Sequence, residues 1–149
     1  MNKKISDFLT DHNVLTIDPA SSVQDAIELM KTQGQSYVLV TDGDRIVGIF
    51  TERDLLNRVL SEKKLPAEVQ VQEVMTPNPD ALNPDDYIAY AVERMARYGY
   101  RTIPVEDGPA LNVLTVWDVM MHLSDILADA EESESDREFV EEMADIGGG

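Results

Sequence analysis

The chain alternates between segments in which apolar residues recur every three or four positions and short segments that are almost continuously apolar. The first kind predicts amphipathic helices over 23–30 and 88–95. The second kind predicts strands, and in each half of the chain two such strands flank an Asp-Gly pair, which is typical of a β-hairpin. The apolar stripes of the two helices are Val23, Ala26, Ile27 and Met30, and Ile88, Ala91, Val92 and Met95.

Local signals set the ends of these elements. Small polar or acidic residues that can cap a helix precede both stripes, and a glycine follows each of them. The candidate caps are Ser21 or Ser22 and Asp85 or Asp86, and the terminal glycines are Gly34 and Gly99. The predicted strands are 37–40, 45–50, 101–105 and 111–114, and a second helix in each half spans 52 to about 60 and 116 to about 127.

The two halves of the chain repeat each other. An offset of 65 residues aligns their first parts, and the offset falls to 64 after the Asp-Gly turn. The matched segments are 5–10 with 71–76, 14–19 with 79–84, 37–40 with 102–105, and 51–54 with 115–118. Such a repeat indicates one supersecondary unit used twice.

A short extended segment that ends at Pro19 or Pro84 precedes the first helix, so each unit has the order β-α-β-β-α and we predict an α+β fold. One unit buries little apolar surface alone, because its sheet needs a second layer. We therefore expect the two units to pack sheet to sheet with pseudo-two-fold symmetry. We expect repeat 1 with its lead-in over 1–65, repeat 2 over 66–128, and an acidic tail over 129–149 that is a short helix or disordered.

The net charge of −17 limits the partners. Segment 125–149 holds ten acidic residues and one basic residue, and the rest of the chain still carries −8. Such a body repels polyanions, which argues against nucleic-acid binding. There is no cysteine, so disulfides and thiolate chemistry are excluded, and no apolar run approaches the roughly 20 residues of a membrane span. We expect a cytoplasmic protein without membrane contact.

The doubled Thr-x-x-Asp motif is the strongest chemical signal. It occurs as Thr51 with Asp54 and as Thr115 with Asp118, each at the start of a predicted helix. One interpretation is a variant capping box, in which the two side chains bond to each other's backbone. The other is a ribose site, because a fixed carboxylate can accept hydrogen bonds from both hydroxyls of a vicinal diol. The two interpretations are compatible, since a cap can hold the carboxylate in place for a ligand.

Three stretches match a known family closely: Val74-Met75-Thr76-Pro77-Asn78-Pro79, Ile103-Pro104-Val105-Glu106-Asp107-Gly108, and Val47-Gly48-Ile49-Phe50-Thr51-Glu52-Arg53-Asp54-Leu55-Leu56. With the repeat, they make the chain resemble a tandem CBS domain, or Bateman module, over roughly residues 5–124. The resemblance implies up to two sites for adenosine derivatives in the cleft between the repeats. It also implies a regulatory function.

The resemblance implies that each site combines Thr-x-x-Asp of one repeat with the first strand and hairpin start of the other. Around Asp54 these residues are Thr51, Ala81, Leu82, Arg101, Thr102 and Ile103. Around Asp118 they are Thr115, Thr16, Ile17, Ser36, Tyr37 and Val38. Three positions depart from the family pattern: Asn112 replaces a glycine, Ala81 replaces a threonine, and Tyr37 is large where small residues are common.

Charged and aromatic side chains distinguish the two sites. Arg53 and Arg101 are candidate phosphate ligands near Asp54, because guanidinium binds phosphate bidentately; the alternative is that they are solvated surface arginines. Trp117 takes the position of Arg53 near Asp118, where it can stack on a ligand or pack over the hairpin. We therefore expect the Asp54 site to prefer phosphorylated ligands. The Asp118 site is expected to take neutral or cationic adenosyl compounds or to stay empty.

These observations favour a nucleotide-sensing regulatory module that is not an enzyme, since no nucleophile with a base and no metal-ligand cluster occurs in the sequence. We expect AMP, ADP, ATP or S-adenosylmethionine as ligand and no required cofactor or metal. Apolar residues crowd the second helix of each repeat and predict a homodimer. The alternative is a structural module whose nucleotide sites are vestigial and which dimerises or binds a partner, the regulated protein being unknown.

Overall fold

A computed structural model describes residues 3–10, 13–124 and 127–128 of the chain. Repeat 1 contains β1 (Thr16–Ile17), α1 (Val23–Gln33), β2 (Tyr37–Asp42), β3 (Arg45–Thr51), and α2, which is α-helical over Glu52–Asp54 and π-helical over Leu55–Leu60. Repeat 2 contains α3 (Val71–Val74), β4 (Thr76–Pro77), α4 (Ile88–Tyr98), β5 (Thr102–Asp107), β6 (Ala110–Thr115) and α5 over 116–124. Single 3₁₀ turns lie at Ile5–Asp7 and Pro66–Glu68. The predicted acidic tail, 129–149, lies outside the described residues.

Most of the predicted elements form, and the helix caps differ between the repeats. Ser22 caps α1, since its Oγ accepts the backbone N–H of Asp25 at 3.0 Å. The prediction that Asp85 or Asp86 caps α4 is wrong, because the residue at that position is Tyr87, without a side-chain cap. The carboxylate of Asp86 turns back instead and accepts the N–H of Asn83 at 2.8 Å.

The repeats form two related sheets. The first has the strand order β1-β2-β3-β4, with β1 parallel to β2 and the other pairs antiparallel. The second is the hairpin β5–β6, extended by a parallel bridge between Leu82 and Val105 that corresponds to the β1–β2 pair of Ile17 with Val40. The predicted α+β architecture of two similar units is confirmed.

Each lead-in packs against the opposite repeat. The N–H of Ile5 donates to Asp86 O at 2.9 Å, whereas the N–H of Val71 donates to Ser21 O at 2.8 Å. The side chains follow the backbone: Ile5 and Phe8 lie in the core of repeat 2. Conversely, Val71 and Val74 lie in the core of repeat 1. This exchange ties the two halves together and brings residues from both repeats to each Thr-x-x-Asp motif.

The core consists of two apolar clusters, one for each repeat. In the first cluster, α1, α2 and the strands of the first sheet enclose Phe50 and Val59. Val113 of β6 belongs to this same cluster, so a residue of the second sheet packs into the core of the first. Among the helices of the described residues, none is long and apolar enough to cross a membrane.

Candidate functional site

The capping box predicted for Thr-x-x-Asp forms at the start of α2 and fixes Asp54. The N–H of Thr51 donates to Asp54 Oδ2 at 3.0 Å, and the Thr51 hydroxyl donates to the same oxygen at 3.2 Å. The N–H of Asp54 points back to Thr51 Oγ1 at 3.4 Å. One carboxylate oxygen is therefore held by the cap, and the other is directed elsewhere.

That second oxygen, Oδ1, meets residues outside the motif. The hydroxyl of Thr76 donates to it at 3.2 Å, and Arg58 Nε lies 3.6 Å away as an ion-pair partner. Thr76 belongs to the exchanged lead-in of repeat 2, so the Asp54 carboxylate is positioned by both repeats. Its residue is only 7% exposed, and these donors offset the cost of burying the charge.

Asp118 repeats this arrangement at the start of α5. Its Oδ2 accepts the N–H of Thr115 at 2.8 Å and the hydroxyl of Thr115 at 3.0 Å, while Oδ1 accepts the hydroxyl of Thr10 at 2.9 Å. Where Arg58 stands in the first site, the second has His122, whose Nδ1 lies 2.9 Å from the backbone oxygen of Asp118. His122 is half-buried, with its ring centroid 4.8 Å from that of Phe8, because the lead-in packs over it.

The described residues form two principal cavities, and of the two carboxylates only that of Asp54 lines one of them. The cavity that Asp54 lines has a volume of about 380 Å³, within the range of small-molecule sites. It brings together Thr51, Asp54, Arg101, Thr102 and Ile103, which the resemblance placed in one site, and Arg53, the candidate phosphate ligand. Its other lining residues are Ser36, Ile49, Glu52, Leu56, Thr76, Pro79, Asp80, Gly99, Tyr100 and Pro104. We call it the Asp54 pocket.

Both predicted arginines line the Asp54 pocket. Arg53 lies across the end of α4, where its Nη2 donates to Gly99 O at 3.3 Å. Gly99 has φ 71°, which favours glycine, and a Cβ on it would lie 3.2 Å from Arg53 Nη2, so a side chain there would have to shift the guanidinium by a few tenths of an ångström. Neither Arg53 nor Arg101 forms an ion pair with any carboxylate of the described residues.

Two residues predicted for the Asp54 site take other places. Leu82 is buried and Ala81 exposed, and neither lines the pocket. Leu82 instead continues the second sheet, since its N–H donates to Pro104 O at 2.9 Å. Ser36, predicted for the Asp118 site, lines the Asp54 pocket.

Of the residues predicted around Asp118, Ser36, Thr115 and Trp117 line a cavity, but Asp118 itself does not. Tyr37, Val38 and Asp118 are buried, whereas Thr16 is exposed and Ile17 half-buried. Trp117 is 72% exposed, so the alternative that it packs over the hairpin is wrong. It lines a cavity of about 610 Å³ between the end of α1 and the start of α5, which shares Ser36, Glu52, Arg101 and Thr102 with the Asp54 pocket.

The sequence analysis did not identify Thr10 and Thr76, whose hydroxyls donate to Asp118 and Asp54, nor did it identify Arg58. The signal was present, because the lead-ins 5–10 and 71–76 align and both end in threonine, at Thr10 and Thr76. Their importance depends on the exchange of lead-ins, which no local pattern indicates. Within the described part of the chain, no group of three His, Cys, Asp or Glu side chains could hold a metal ion.

Fold and site together define a paired β-α-β-β-α module with two pseudo-symmetric buried aspartates. The family model of the CBS domain matches residues 5–61 and 71–125. The chain therefore belongs to the CBS-domain family and carries two copies of the domain, which confirms the resemblance seen in its motifs.

Relatives occur in several contexts. An uncharacterised protein of Methanopyrus kandleri is 30% identical over 88% of this chain and 67% of its own length. A CBS domain-containing protein of Arabidopsis thaliana is 34% identical over 74% of this chain, but the match spans 20% of that protein. The inosine-5′-monophosphate dehydrogenase of Korarchaeum cryptofilum is 31% identical over 87% of this chain and 26% of the enzyme. The chain thus spans a minor part of the two longer relatives.

Solved structures agree with the fold. A CBS-domain protein of Burkholderia ambifaria superposes with a TM-score of 0.75 and 28% identity, over 81% of this chain and 93% of that one. CBSX2, solved in complex with AMP, superposes with a TM-score of 0.69 and 26% identity, over 83% of this chain and 97% of its own. A CBS domain pair solved with 5′-methylthioadenosine and S-adenosyl-L-methionine has a TM-score of 0.71 and 20% identity, over 84% of this chain and 98% of that one.

Proposed function

We propose that this chain is a regulatory module that binds an adenosine phosphate, with AMP as the simplest candidate, in the Asp54 pocket. The observation that carries the proposal is a buried, pre-positioned carboxylate in the same cavity as two arginines that form no ion pair within the described residues. The AMP complex of CBSX2, a protein of the same family, supports this ligand class. The regulated protein is unidentified, and no catalytic step is proposed.

The pocket suggests how each part of the ligand is bound. The Asp54 carboxylate accepts the two ribose hydroxyls, with the cap holding its orientation. The aliphatic side chains of Ile49 and Ile103 cover the base. Arg53 and Arg101 bind the phosphate, because guanidinium pairs with phosphate oxygens through parallel hydrogen bonds.

The acidic residues of the pocket do not cancel this preference. Asp80 also lines the cavity, but its carboxylate is within 3.6 Å of Arg94 Nη1, and Arg58 accompanies Asp54. Asp54 and Asp80 thus each have an arginine, whereas Glu52 forms no ion pair among the described residues. Arg53 and Arg101 still outnumber this one carboxylate and are available for an added anion. A phosphorylated ligand is therefore expected to bind more tightly than adenosine.

Copurified nucleotide tests the ligand class directly. Protein purified without added nucleotide is denatured by heat, and the released small molecules are identified by mass spectrometry. The proposal expects an adenosine phosphate from the wild type and none from Asp54→Ala. A released fraction that contains guanosine compounds and no adenosine phosphate would contradict the proposal.

We also propose that the module is a homodimer. Apolar side chains protrude from α2 and α5, and no described part of the chain covers them. The exposed members are Leu56, Leu60, Trp117, Met120, Met121 and Leu123. Such a surface is typical of a protein–protein contact. Light scattering at micromolar concentration is expected to give twice the chain mass, and the mass of a single chain would refute the dimer.

A further inference from the structure

The Asp118 half of the molecule differs from the Asp54 half at one decisive side chain. The hairpin registers are equivalent, since Tyr37 pairs with Thr51 in repeat 1 and Thr102 pairs with Thr115 in repeat 2. Thr102 lines the open Asp54 pocket. By the same symmetry Tyr37 faces the Asp118 motif, and there it is only 1% exposed.

The phenol ring is buried, and neither Tyr37 nor Asp118 lines the cavity that Thr115 and Trp117 share. Burial raises the pKa of Tyr37, and the charge of Asp118 raises it further, so the hydroxyl lies within electrostatic range of that carboxylate. The N–H of Leu15 is near enough to lower the pKa in part, although its geometry is not that of a hydrogen bond. Leu15 is the counterpart of Asp80, which lines the open pocket.

Among the described residues, the hydroxyl has no hydrogen-bond partner although it is fully buried. A buried hydroxyl without a partner is costly, so packing alone does not favour tyrosine here. Because the open pocket has Thr102 at the equivalent position, the buried phenol indicates that the tyrosine takes a place that a ligand could occupy.

We propose that Tyr37 closes a latent second adenosine site at Asp118, so that each chain binds one nucleotide, and that the residue at this position determines which site is open. This inference rests on the proposed function of the Asp54 pocket. At the latent site Ser36 and Trp117 stand where the first site has Arg101 and Arg53, although Arg101 itself also lines the cavity beside Trp117. Adenosine, which needs no phosphate contact, is therefore the probe.

Tyr37 and Thr102 occupy equivalent positions in the two repeats, so each can be replaced by the residue that the other repeat has there. Equilibrium dialysis with labelled adenosine is expected to give one site per chain for the wild type and two for Tyr37→Thr. The added site is expected to disappear in Tyr37→Thr/Asp118→Ala. Tyr37→Phe keeps the ring and is expected to retain a single site.

If circular dichroism shows that Tyr37→Thr does not fold, the reverse substitution, Thr102→Tyr, provides an independent test. Thr102→Tyr is expected to fold and to lose at least tenfold in adenosine affinity, because the ring then fills the open pocket. Two sites in the wild type, one of them lost in Asp118→Ala, would overturn the inference and leave the proposed function intact. Unchanged affinity in folded Thr102→Tyr, or a single site in folded Tyr37→Thr, would also overturn it. If the wild type binds no adenosine but Tyr37→Thr binds one, Tyr37 closes the Asp118 site as inferred, whereas the proposed function of the Asp54 pocket fails and with it the expected single site per wild-type chain.

Discussion

At the scale of single residues, the Asp54 carboxylate is expected to bind the ribose hydroxyls in addition to capping α2. Asp54→Ala removes hydrogen bonds to a charged group, which are worth about 1.5–3 kcal/mol. AMP affinity is therefore expected to fall by roughly 10- to 150-fold, at about 1.4 kcal/mol per decade. Calorimetric titration measures the loss.

The control for this variant is a cap far from the pocket. Ser22→Ala removes the Oγ that accepts from Asp25 in α1 and is expected to cost about 1 kcal/mol of stability with AMP affinity unchanged. If Asp54→Ala behaves in the same way, with a lower melting temperature and full affinity, Asp54 is only a cap.

Tyr37 gives a second prediction at this scale. Tyr37→Phe removes a buried hydroxyl without a partner and is expected to raise the free energy of unfolding by about 1 kcal/mol at pH 7. The pKa of Tyr37 is raised by burial, so its contribution to stability is present below the unfolded value of about 10 and is lost as pH rises above it. Urea titrations between pH 8 and pH 11 should show a steeper loss of stability for the wild type than for Tyr37→Phe. Parallel curves would contradict the assignment.

At the scale of elements, the C-terminal glycines of α1 and α4 allow a direct comparison, because their backbone conformations are alike and their surroundings differ. Both helices end in a glycine with positive φ, 64° at Gly34 and 71° at Gly99, but only Gly99 lies against Arg53. Substitution by alanine is expected to cost about 1–2 kcal/mol at either position, because the left-handed conformation disfavours a side chain. Only Gly99→Ala is expected to displace Arg53 and weaken AMP binding severalfold.

The two variants are compared by titration with AMP and with adenosine. The account expects a selective loss for AMP in Gly99→Ala, since adenosine has no phosphate for Arg53 to bind. Equal AMP affinities in Gly34→Ala and Gly99→Ala would show that Arg53 takes no part in binding.

Local patterns predicted the elements well and their assembly less completely. The Asp-Gly turns and the glycines after the helical stripes predicted the hairpins and the helix ends, because turns and caps are determined by neighbouring residues. The exchange of the lead-ins was not predictable, since periodicity does not tell which repeat a segment packs against. Thr10 and Thr76 were missed for that reason. The closure by Tyr37 depends on the direction of one side chain, which the sequence shows only as a departure in size.

At the scale of the whole molecule, the exchanged lead-ins predict that the two repeats unfold together. Ile5 is fully buried in the core of repeat 2 although it belongs to the lead-in of repeat 1. Ile5→Ala is expected to cost about 2–5 kcal/mol, the usual range for such a truncation. When urea unfolding of Ile5→Ala is followed by circular dichroism and by Trp117 fluorescence, both signals should show the same single transition, shifted to lower urea.

The control is Leu65→Ala at an exposed position, which is expected to change the free energy of unfolding by less than about 0.5 kcal/mol. Two separate transitions in the wild type would contradict a single cooperative unit.

Calorimetric titration of AMP into the folded wild type, with GMP as the control, tests whether this pair of CBS domains binds an adenosine phosphate through one pocket. We expect saturable binding of one AMP per chain, tighter than adenosine because of Arg53 and Arg101, and no comparable heat for GMP. No heat for AMP, ATP or adenosine with protein whose fold is confirmed by circular dichroism would contradict it.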